Sequence, residues 1–363
     1  MTTRGLGWGI VGLGRIARSE IAPAIISTHT EELIAVTSRD QARADAFAGE
    51  FNARRAYDDF EAMLDDDDVE AVYIATPNAL HAEQVVAAAA AGKHVLCDKP
   101  LATNVEDARR AVDACQKSGR HLGIMFQTRR HGGMAEAVRL VAEGALGRVL
   151  VAEVEMSAGR RLPVGWRTDP SLAGLGTLNN IGVHCVDLLR YLLGSEVTEV
   201  TCLVDREPGF EIDTTATLLM RFEQGTLAYV NANQSVPQPR DDVVLYGTEG
   251  RFVAANLSRP NREGTVSVLT SGTETVTEAS SADAYRLTLE AFSRAIAEGR
   301  APTPDGIDGL RSVQVSAAIA TALHEKRVVR VEQWAPPRTV LDGSPIEQRP
   351  GTDRERTHDD ART

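Results

Sequence analysis

The stretch GWGIVGLGRIA, residues 7–17, places a glycine-rich turn between an apolar run and a segment of helical composition. Its small residues follow the spacing Gly-x-Gly-x-x-Ala, which is the fingerprint of a dinucleotide-binding loop. The first glycine permits a tight turn, and the second lets the backbone approach a pyrophosphate. Free N–H groups at the start of the following helix would bind the phosphates. The predicted cofactor loop consists of Gly12, Leu13, Gly14, Arg15 and Ile16.

Downstream of this loop, short apolar runs alternate with helix-length segments as far as Gln127. Strands that alternate with helices predict right-handed βαβ crossovers and therefore a parallel sheet. We predict that residues 1–127 form a doubly wound Rossmann domain of the α/β class. The expected strands are LGWGIVG, ELIAVTS, VEAVYIATP, HVLCDKP and HLGIMFQ.

From residue 128 onward the pattern changes, because strand-like segments follow one another with few helices between them. In TTATLLMRF, residues 214–222, every second side chain is apolar, and this period of two predicts antiparallel strands with one face on a core. Two helical patterns, Ala284–Glu298 and Gly306–Lys326, close this second, α+β domain, predicted for residues 128–334. Residues 335–363 are rich in proline and charge, and we expect a disordered or peripheral tail.

The composition limits the classes of partner. The chain has 363 residues and a net charge of −12, which argues against nucleic-acid binding and against binding to anionic membranes. Its four cysteines are scattered and form no Cys-x-x-Cys pair, so no metal site is expected. The beginning of the sequence lacks a secretory-signal pattern, and no apolar run has the length of a membrane span. We expect a cytoplasmic protein.

The end of the second predicted strand bears on the identity of the nucleotide. An acidic residue there would bind the ribose hydroxyls of NAD, but this chain has Ser38 and Arg39. A hydroxyl and a guanidinium suit a 2′-phosphate, so the sequence favours NADP over NAD. Asp40 leaves NAD open as the alternative, although capping of the next helix is the role we expect for it.

Polar residues also follow the next strand, in ATPNALH. Thr76, Pro77 and Asn78 lie at the carboxyl end of the predicted sheet, where doubly wound folds bind ligands. His81 falls in the first turn of the following helix. We expect these four residues to lie beside the cofactor, with helix capping as the alternative role for Asn78.

The stretch CDKPLAT places Asp98, Lys99 and Pro100 at the end of a further strand. A lysine at the carboxyl edge of a parallel sheet is well placed to reach a ligand, whereas most lysines simply lie at the surface. The proline favours a special backbone here, with a cis peptide as one form.

The stretch NNIGVHCVD, residues 179–187, places Asn180 and His184 four positions apart, on one face of a predicted helix. A histidine can move protons near neutral pH, but an amide cannot. The pattern alone therefore fits an active site or a helix that happens to carry a histidine. Asp187 is expected to have a structural role.

Considered together, these motifs resemble those of the glucose–fructose oxidoreductase / inositol dehydrogenase (Gfo/Idh/MocA) family, over about residues 5–332. The carriers of the resemblance are GIVGLGRIA, ATPNALH, DKP in place of Glu-Lys-Pro, GWRTDP and GTLNNIGVHCVD, followed by DTTATLLMRFEQGTLA and VVLYGTEGRF. The resemblance implies a Rossmann domain and an open, mainly antiparallel sheet domain with helices on one face. It also implies NAD(P)-dependent oxidation or reduction of a secondary alcohol on a sugar, cyclitol or related polyol, and homodimers or homotetramers that pack the open sheet face.

The same resemblance assigns roles to individual residues. It makes Lys99 and His184 the catalytic pair, with the histidine as the base and the lysine beside the same oxygen. It places Trp166 and Arg167 in the cleft between cofactor and substrate, and Arg129 or its neighbour Arg130 within reach of the cleft.

The chain departs from the family at one position, because Asn180 stands where the usual motif Asp-x-Gly-x-His has its aspartate. An aspartate would raise the basicity of the histidine, whereas asparagine supplies no charge. We expect His184 to be less basic than in typical relatives, and Asn180 to bind substrate and orient the histidine.

The sequence is also compatible with two other functions. A few members of the family use NAD as a transient oxidant to cleave glycosidic bonds, and retained cofactor without net turnover would point to that chemistry. A non-catalytic protein that senses a sugar or a nucleotide is the second alternative, and Asn180 gives it some support. The presence of both Lys99 and His184 argues against a sensor.

Overall fold

The first half of the chain folds around a sheet of six parallel strands. The computed structural model describes residues 5–28 and 30–333. The strands are β1 Gly7–Val11, β2 Glu32–Thr37, β3 Arg55–Tyr57, β4 Ala71–Ile74, β5 His94–Cys97 and β6 Leu122–Ile124. They lie in the order β3-β2-β1-β4-β5-β6. Strands β2 and β3 therefore lie on one side of β1, and β4, β5 and β6 lie on the other. This order confirms the predicted doubly wound fold and puts its ligand crevice at the carboxyl ends of β1 and β4.

Helices connect these strands, and their ends follow from local chemistry. The Asp40 side chain accepts a hydrogen bond from the Arg43 N–H at the start of α2, and Asn104 caps α5 in the same way through the Asp107 N–H. A π-helical turn, Ala17–Ile21, leads into the first helix. The helices are α1 Ala22–Ser27, α2 Gln41–Phe51, α3 Phe60–Leu64, α4 His81–Ala90 and α5 Val105–Ser118.

The second half forms a nine-stranded sheet that is mostly antiparallel, as predicted. Its strands are β7 Val149–Ser157, β8 Val197–Asp205, β9 Thr215–Phe222, β10 Leu227–Asn233, β11 Val243–Gly247, β12 Gly250–Ala255, β13 Glu263–Thr270, β14 Thr273–Ser280 and β15 Val329–Arg330. They lie in the order β14-β13-β12-β11-β7-β10-β9-β8-β15. The sheet ends at β14 on one side and at β15 on the other, so it is open rather than closed into a barrel.

One pair in this sheet is parallel, and it positions the site. Strands β7 and β10 run side by side with Leu227 opposite Val151 and Asn233 opposite Ser157. Both strands therefore end at the same edge of the sheet. The segments that leave this edge, which begin at Ala158 and Gln234, start out as neighbours.

Helices pack on one face of the second sheet and return to the first half. They are α6 Met134–Ala142, α7 Pro170–Ala173, α8 Val183–Leu193, α9 Ala284–Ala297 and α10 Gly306–Glu325. Apolar residues of α6, α8 and α10 share one buried cluster with the alternate residues of β9. Helix α9 packs on the first half instead, where the ring of Phe292 lies 5.8 Å from that of Trp8, centroid to centroid.

This packing joins the two sheets into one compact unit that ends at Gln333. The domain boundary at residue 127 stays a prediction, although it falls just after β6, at the 3-10 turn Gln127–Arg130. The predicted tail, 335–363, lies outside the described residues. Within the described part of the chain, no helix is long and apolar enough to cross a membrane.

The face of the second sheet opposite these helices carries exposed apolar side chains. Leu219 on β9 is 55% exposed, and Tyr229, its partner across the β9–β10 pair, is 39% exposed. Leu203 on β8 is 79% exposed. The intervening positions of β9 are buried in the core, as the period of two predicts.

Candidate active site

The glycine-rich loop after β1 has the backbone that a dinucleotide requires. Gly12 has φ +88°, and a Cβ there would lie 2.7 Å from the Ala75 carbonyl carbon and the Thr76 nitrogen, so only glycine fits. A Cβ on Gly14 would meet nothing within 4 Å, so the space in front of this residue is open. The first bond of the helix runs from the Arg18 N–H to the Gly14 carbonyl at 3.1 Å. The preceding N–H groups are free of helical partners, and the loop therefore fits a pyrophosphate.

Basic and hydroxyl groups surround the position where the adenosine end of a dinucleotide would lie. Ser38 and the exposed Arg39 follow β2 directly. Asp40 caps α2, as expected, which occupies its carboxylate. The Arg43 guanidinium donates a 2.6 Å hydrogen bond to the Leu13 carbonyl and so fixes a further positive charge beside the glycine loop. Arg43 was not among the predicted residues, because nothing in its local sequence links it to residue 13.

A cavity of about 650 Å³ begins at this loop and extends between the two sheets. Ten of the predicted site residues line it: Arg15, Ile16, Thr76, Asn78, Asp98, Lys99, Trp166, Arg167, Asn180 and His184. The structure therefore brings together residues from the carboxyl edge of the first sheet and from the segment that precedes α8. Gly12, Leu13 and Gly14 form the turn beside the cavity, whereas Ser38, Arg39 and Pro77 do not line it.

In the ATPNALH segment the structure excludes the alternative role of Asn78 and departs from the expectation at His81. Asn78 does not cap its helix, because its side chain donates a 2.9 Å hydrogen bond to the Ala173 carbonyl in the second half of the chain. His81 is buried behind the cavity and does not line it. Its ring nitrogens lie 2.7 Å from the Pro100 carbonyl and 2.9 Å from the Thr76 carbonyl. His81 thus ties two strand ends together, which makes it a positioning residue rather than a cofactor contact.

Lys99 leaves the end of β5 and crosses to the second half of the chain. Its Nζ donates a 2.6 Å hydrogen bond to the backbone carbonyl of Asn180, and the peptide bond that follows it, Lys99–Pro100, is cis. Burial lowers the pKa of Lys99 to about 8, against the opposing effect of Asp98. The ammonium is therefore mostly charged at neutral pH and still has two N–H donors for a ligand.

His184 lies in the first turn of α8 and is only 7% exposed. Burial lowers its pKa well below the usual value, and the charges of Lys99 and His131 lower it further. Its Nδ1 is buried without a hydrogen-bond partner among the described residues. The ring packs edge-on against Phe126, at 6.3 Å between centroids, and lines the cavity. At neutral pH this imidazole is uncharged and able to accept a proton.

Asn180 occupies a π-helical turn, Leu178–Gly182, that leads into α8. The expectation that Asn180 orients His184 is wrong, because the Asn180 side chain instead donates a 2.7 Å hydrogen bond to Oε1 of Gln234. Gln234, at the end of β10, lines the cavity but was missed in the sequence. An amide pair of this kind leaves one oxygen and one NH₂ group free, whichever way the two amides are oriented. The pair can therefore accept from one ligand hydroxyl and donate to another.

Trp166 and Arg167 are consecutive residues of a 3-10 turn, Gly165–Thr168. The Arg167 guanidinium carbon lies 4.3 Å above the Trp166 ring centroid, which holds the two side chains together through a cation–π contact. Both residues line the cavity, as the resemblance implied.

Arg129 is a correction to the predicted site. Its guanidinium donates to Asp187 at 2.5 and 2.8 Å and lies 3.0 Å from an oxygen of Asp308, in a buried cluster away from the cavity wall. These carboxylates satisfy the guanidinium, so it cannot also reach a substrate. Arg130 donates to the Thr303 carbonyl instead. Asp187 has the structural role expected for it.

Several lining residues were not predicted. Gln127 and Thr128 follow the first sheet, and Tyr285 lies on α9. Loops of the second sheet supply the rest, which are Arg161, Gln234, Arg259 and Arg262. A polar residue directly after a strand, as in NANQS, was an available signal for Gln234. Arg161, Arg259 and Arg262 depend on the pairing of strands that are distant in sequence, such as β7 with β11.

Comparison with known proteins agrees with this geometry. A family model described as "Oxidoreductase family, NAD-binding Rossmann fold" matches residues 6–126, and the "GFO/IDH/MocA C-terminal domain" matches residues 134–253. The 1,5-anhydro-D-fructose reductase of Ensifer adhaerens is 32% identical over 90% of this chain and 98% of its own. The D-xylose 1-dehydrogenase (NADP(+)) 2 of Haloferax volcanii is 34% identical over 86% and 95%.

Solved structures agree as well. The aldose-aldose oxidoreductase of Caulobacter crescentus, in complex with glycerol, superposes with a TM-score of 0.82 at 30% identity, over 90% of this chain and all of that one. The fold, the glycine loop and both family models point to the same group of enzymes. The chain belongs to the Gfo/Idh/MocA family of NAD(P)-dependent oxidoreductases.

Proposed function

We propose that the chain is a cytoplasmic, NADP(H)-preferring oxidoreductase that transfers a hydride between nicotinamide and a secondary alcohol or ketone of a sugar, cyclitol or sugar derivative. The observation that carries the proposal is that Lys99 and His184 line the same cavity as Arg15 and Ile16, which follow the glycines of the loop. The names of the relatives, a fructose-derivative reductase and a xylose dehydrogenase, support a carbohydrate substrate. The four cysteines are free and buried, which suits a reducing compartment.

The reaction divides between the cofactor and the protein. Bound nicotinamide would supply the redox chemistry by taking a hydride from the alcohol carbon, and the hydroxyl would lose a proton in the same direction. His184 takes that proton at a ring nitrogen, because its lowered pKa keeps it neutral and ready to accept. Reduction reverses both transfers, and the protonated imidazole then returns the proton to the oxygen.

Lys99 acts on the same oxygen as a donor. Its bond to the Asn180 carbonyl fixes the ammonium at the junction of the two halves, and two N–H groups remain for a ligand in the cavity that Lys99 lines. A positive charge there stabilises the negative charge that develops as the hydroxyl loses its proton. It also holds the reacting carbon in register with the cofactor.

The first prediction tests the catalytic pair. We expect purified enzyme to form reduced nicotinamide with at least one sugar or cyclitol in a panel of pyranoses, anhydrosugars, glycosides and inositols. His184→Asn and Lys99→Met should each lower kcat by about 10²- to 10⁴-fold, the range of general acid–base catalysis. Lys117→Met, on the surface of α5, is the control and should keep wild-type activity.

The outcomes of this panel are distinct. Glycoside cleavage without net reduced nicotinamide would replace the proposal with the transient-oxidation mechanism. Cofactor binding without turnover of any compound would favour a sensor. Full activity of both variants would contradict the assignment of Lys99 and His184.

The second prediction concerns Asn180. In Asn180→Asp, a carboxylate one helical turn from His184 should raise the pKa of the imidazole by about 1 unit. The base would then protonate at a higher pH, so the acid limb of kcat/KM for oxidation should move upward. Titration of the histidine ring protons by NMR measures the pKa directly. His94, whose pKa burial lowers to about 4, lies at the opposite end of β5 and should not move.

An unchanged pKa of His184 together with an unchanged acid limb would show that position 180 does not tune the base. A changed affinity for substrate with no change of pKa would leave Asn180 with a binding role alone. The two measurements therefore separate its electrostatic role from its binding role.

The third prediction concerns the cofactor. The preference for NADP rests on Ser38 and Arg39 after β2 and on the positive charge of Arg43 beside the loop. Arg39→Gln should lower the ratio of kcat/KM for NADP⁺ to that for NAD⁺ by about tenfold, which corresponds to loss of one charge-assisted hydrogen bond. Arg54→Gln, an exposed arginine paired with Glu32 in the same half, should keep the wild-type ratio. A wild-type preference for NAD⁺ would contradict the assignment.

The fourth prediction concerns assembly. We propose a homodimer or homotetramer that packs the outer face of the second sheet, because Leu203, Leu219 and Tyr229 expose apolar surface there. Light scattering should give a mass of two or four times 39.1 kDa, and Leu219→Glu should lower it. Leu287→Glu, an exposed position on α9, is the control. A monomeric wild-type chain would contradict this interface.

A further inference from the structure

The part of the cavity that loops of the second sheet line, called the basic end here, carries three arginines. Arg161 lies on the segment after β7, and Arg259 and Arg262 lie on the segment after β12; all three line the cavity. We propose that this basic end binds an anionic group on the substrate, a carboxylate or a phosphate carried by the sugar. The proposal rests on the proposed function, because it takes the substrate to lie between these arginines and the catalytic pair.

The charge at this end is only partly balanced within the protein. Nη1 of Arg259 lies 3.2 Å from Oδ2 of the buried Asp241. Neither Arg161 nor Arg262 has an acidic partner within salt-bridge distance among residues 5–28 and 30–333. The charge of Arg262 still acts on Asp241, where it opposes the rise in pKa that burial causes for that carboxyl. One carboxylate therefore balances three guanidinium groups, and the local charge stays positive. This excess is local, because the whole chain has a net charge of −12.

The arginine-bearing segments are held by buried contacts. The hydroxyl of Ser281, which is fully buried, donates a 2.5 Å hydrogen bond to the Arg259 carbonyl and accepts one of 2.9 Å from the Arg262 N–H. These bonds fix the backbone on both sides of Pro260 and Asn261. A binding group on a fixed backbone loses less entropy when a ligand arrives.

The two segments also pack on each other. Gly159 has φ +65°, and a Cβ there would lie 3.1 Å from Nη1 of Arg259. The guanidinium therefore lies over the backbone of the segment that leads to Arg161. Arginine is the residue best suited to this role, since its planar fork donates two parallel hydrogen bonds to a carboxylate or a phosphate.

The phosphates of the cofactor do not account for these arginines. The pyrophosphate belongs at the glycine loop and the 2′-phosphate near Ser38 and Arg39, both at the carboxyl edge of the first sheet. The three arginines come instead from the second sheet, together with the substrate-side residue Gln234. An anionic group on the substrate is the remaining ligand of matching charge.

Matched substrates test the proposal with NADP⁺ at saturation. The panel compares D-glucose with D-glucuronate and with D-glucose 6-phosphate, so that the carboxylate and the phosphate are tested separately. We expect kcat/KM to be at least about tenfold higher for one of the anions, the effect of one charge-assisted hydrogen bond. Arg161→Gln and Arg262→Gln should each lower the anionic-to-neutral ratio by a similar factor. Arg160→Gln, an exposed neighbour that does not line the cavity, should keep the wild-type ratio.

A binding measurement separates this proposal from the proposed function. Calorimetry with NADP⁺-saturated protein measures the affinity for inorganic phosphate and for D-glucuronate in the wild type, the Arg161→Gln/Arg262→Gln double variant and Arg160→Gln. If the wild type and Arg160→Gln bind one of these anions and the double variant does not, the result would support anion binding at the basic end, even if no sugar is turned over. No binding to the wild type, or equal kcat/KM for neutral and anionic sugars, would overturn the proposal, and turnover of neutral sugars would then leave the proposed function intact.

Discussion

The geometry of the site depends on a buried ion cluster that surrounds Asp187. Arg129, which follows the first sheet, donates two hydrogen bonds to this carboxylate, and Asp308 at the start of α10 contacts the same guanidinium. Removing one partner from such a pair costs about 3–5 kcal/mol, because the other charge is left buried and alone. The cluster therefore fixes α8 against the end of the first sheet. Since His184 lies one turn before Asp187 on the same helix, the position of the base is fixed with it.

A second link crosses the cavity itself, from Lys99 to the carbonyl of Asn180. It places a charged ammonium beside a neutral imidazole and makes their protonation states interdependent. Burial opposes charge on both groups, and the charge of Lys99 further lowers the pKa of His184. At neutral pH the pair therefore holds one positive charge, on the lysine. This is the distribution that the proposed oxidation requires: a donor for the oxygen and a free base for its proton.

The sequence predicted the parts of this molecule that depend on local spacing. The glycine loop, the alternation of strands and helices, Lys99 at a strand end and the Asn180–His184 face all follow from residues within a few positions of one another. The parallel β7–β10 pair could not be predicted, because it joins segments about 75 residues apart. The lining positions Arg259 and Arg262 likewise depend on the pairing of distant strands. Arg129 was misjudged for the same reason, since its partner Asp187 is 58 residues away in sequence.

Two features make the charge of the cavity more positive. One is Asn180 at the position where the family resemblance implies an aspartate, and the other is the set of arginines at the basic end. An aspartate at position 180 would place a negative charge on the wall that also carries Lys99 and, beyond it, the arginines. Asparagine binds Gln234 instead and adds no negative charge to that of Asp98 and Glu20, the acidic residues that line the cavity among the described residues. In a partly desolvated cavity such a charge acts over several ångströms with little screening. An uncharged side chain at position 180 would therefore leave His184 a weaker base and would strengthen the field that holds an anionic substrate.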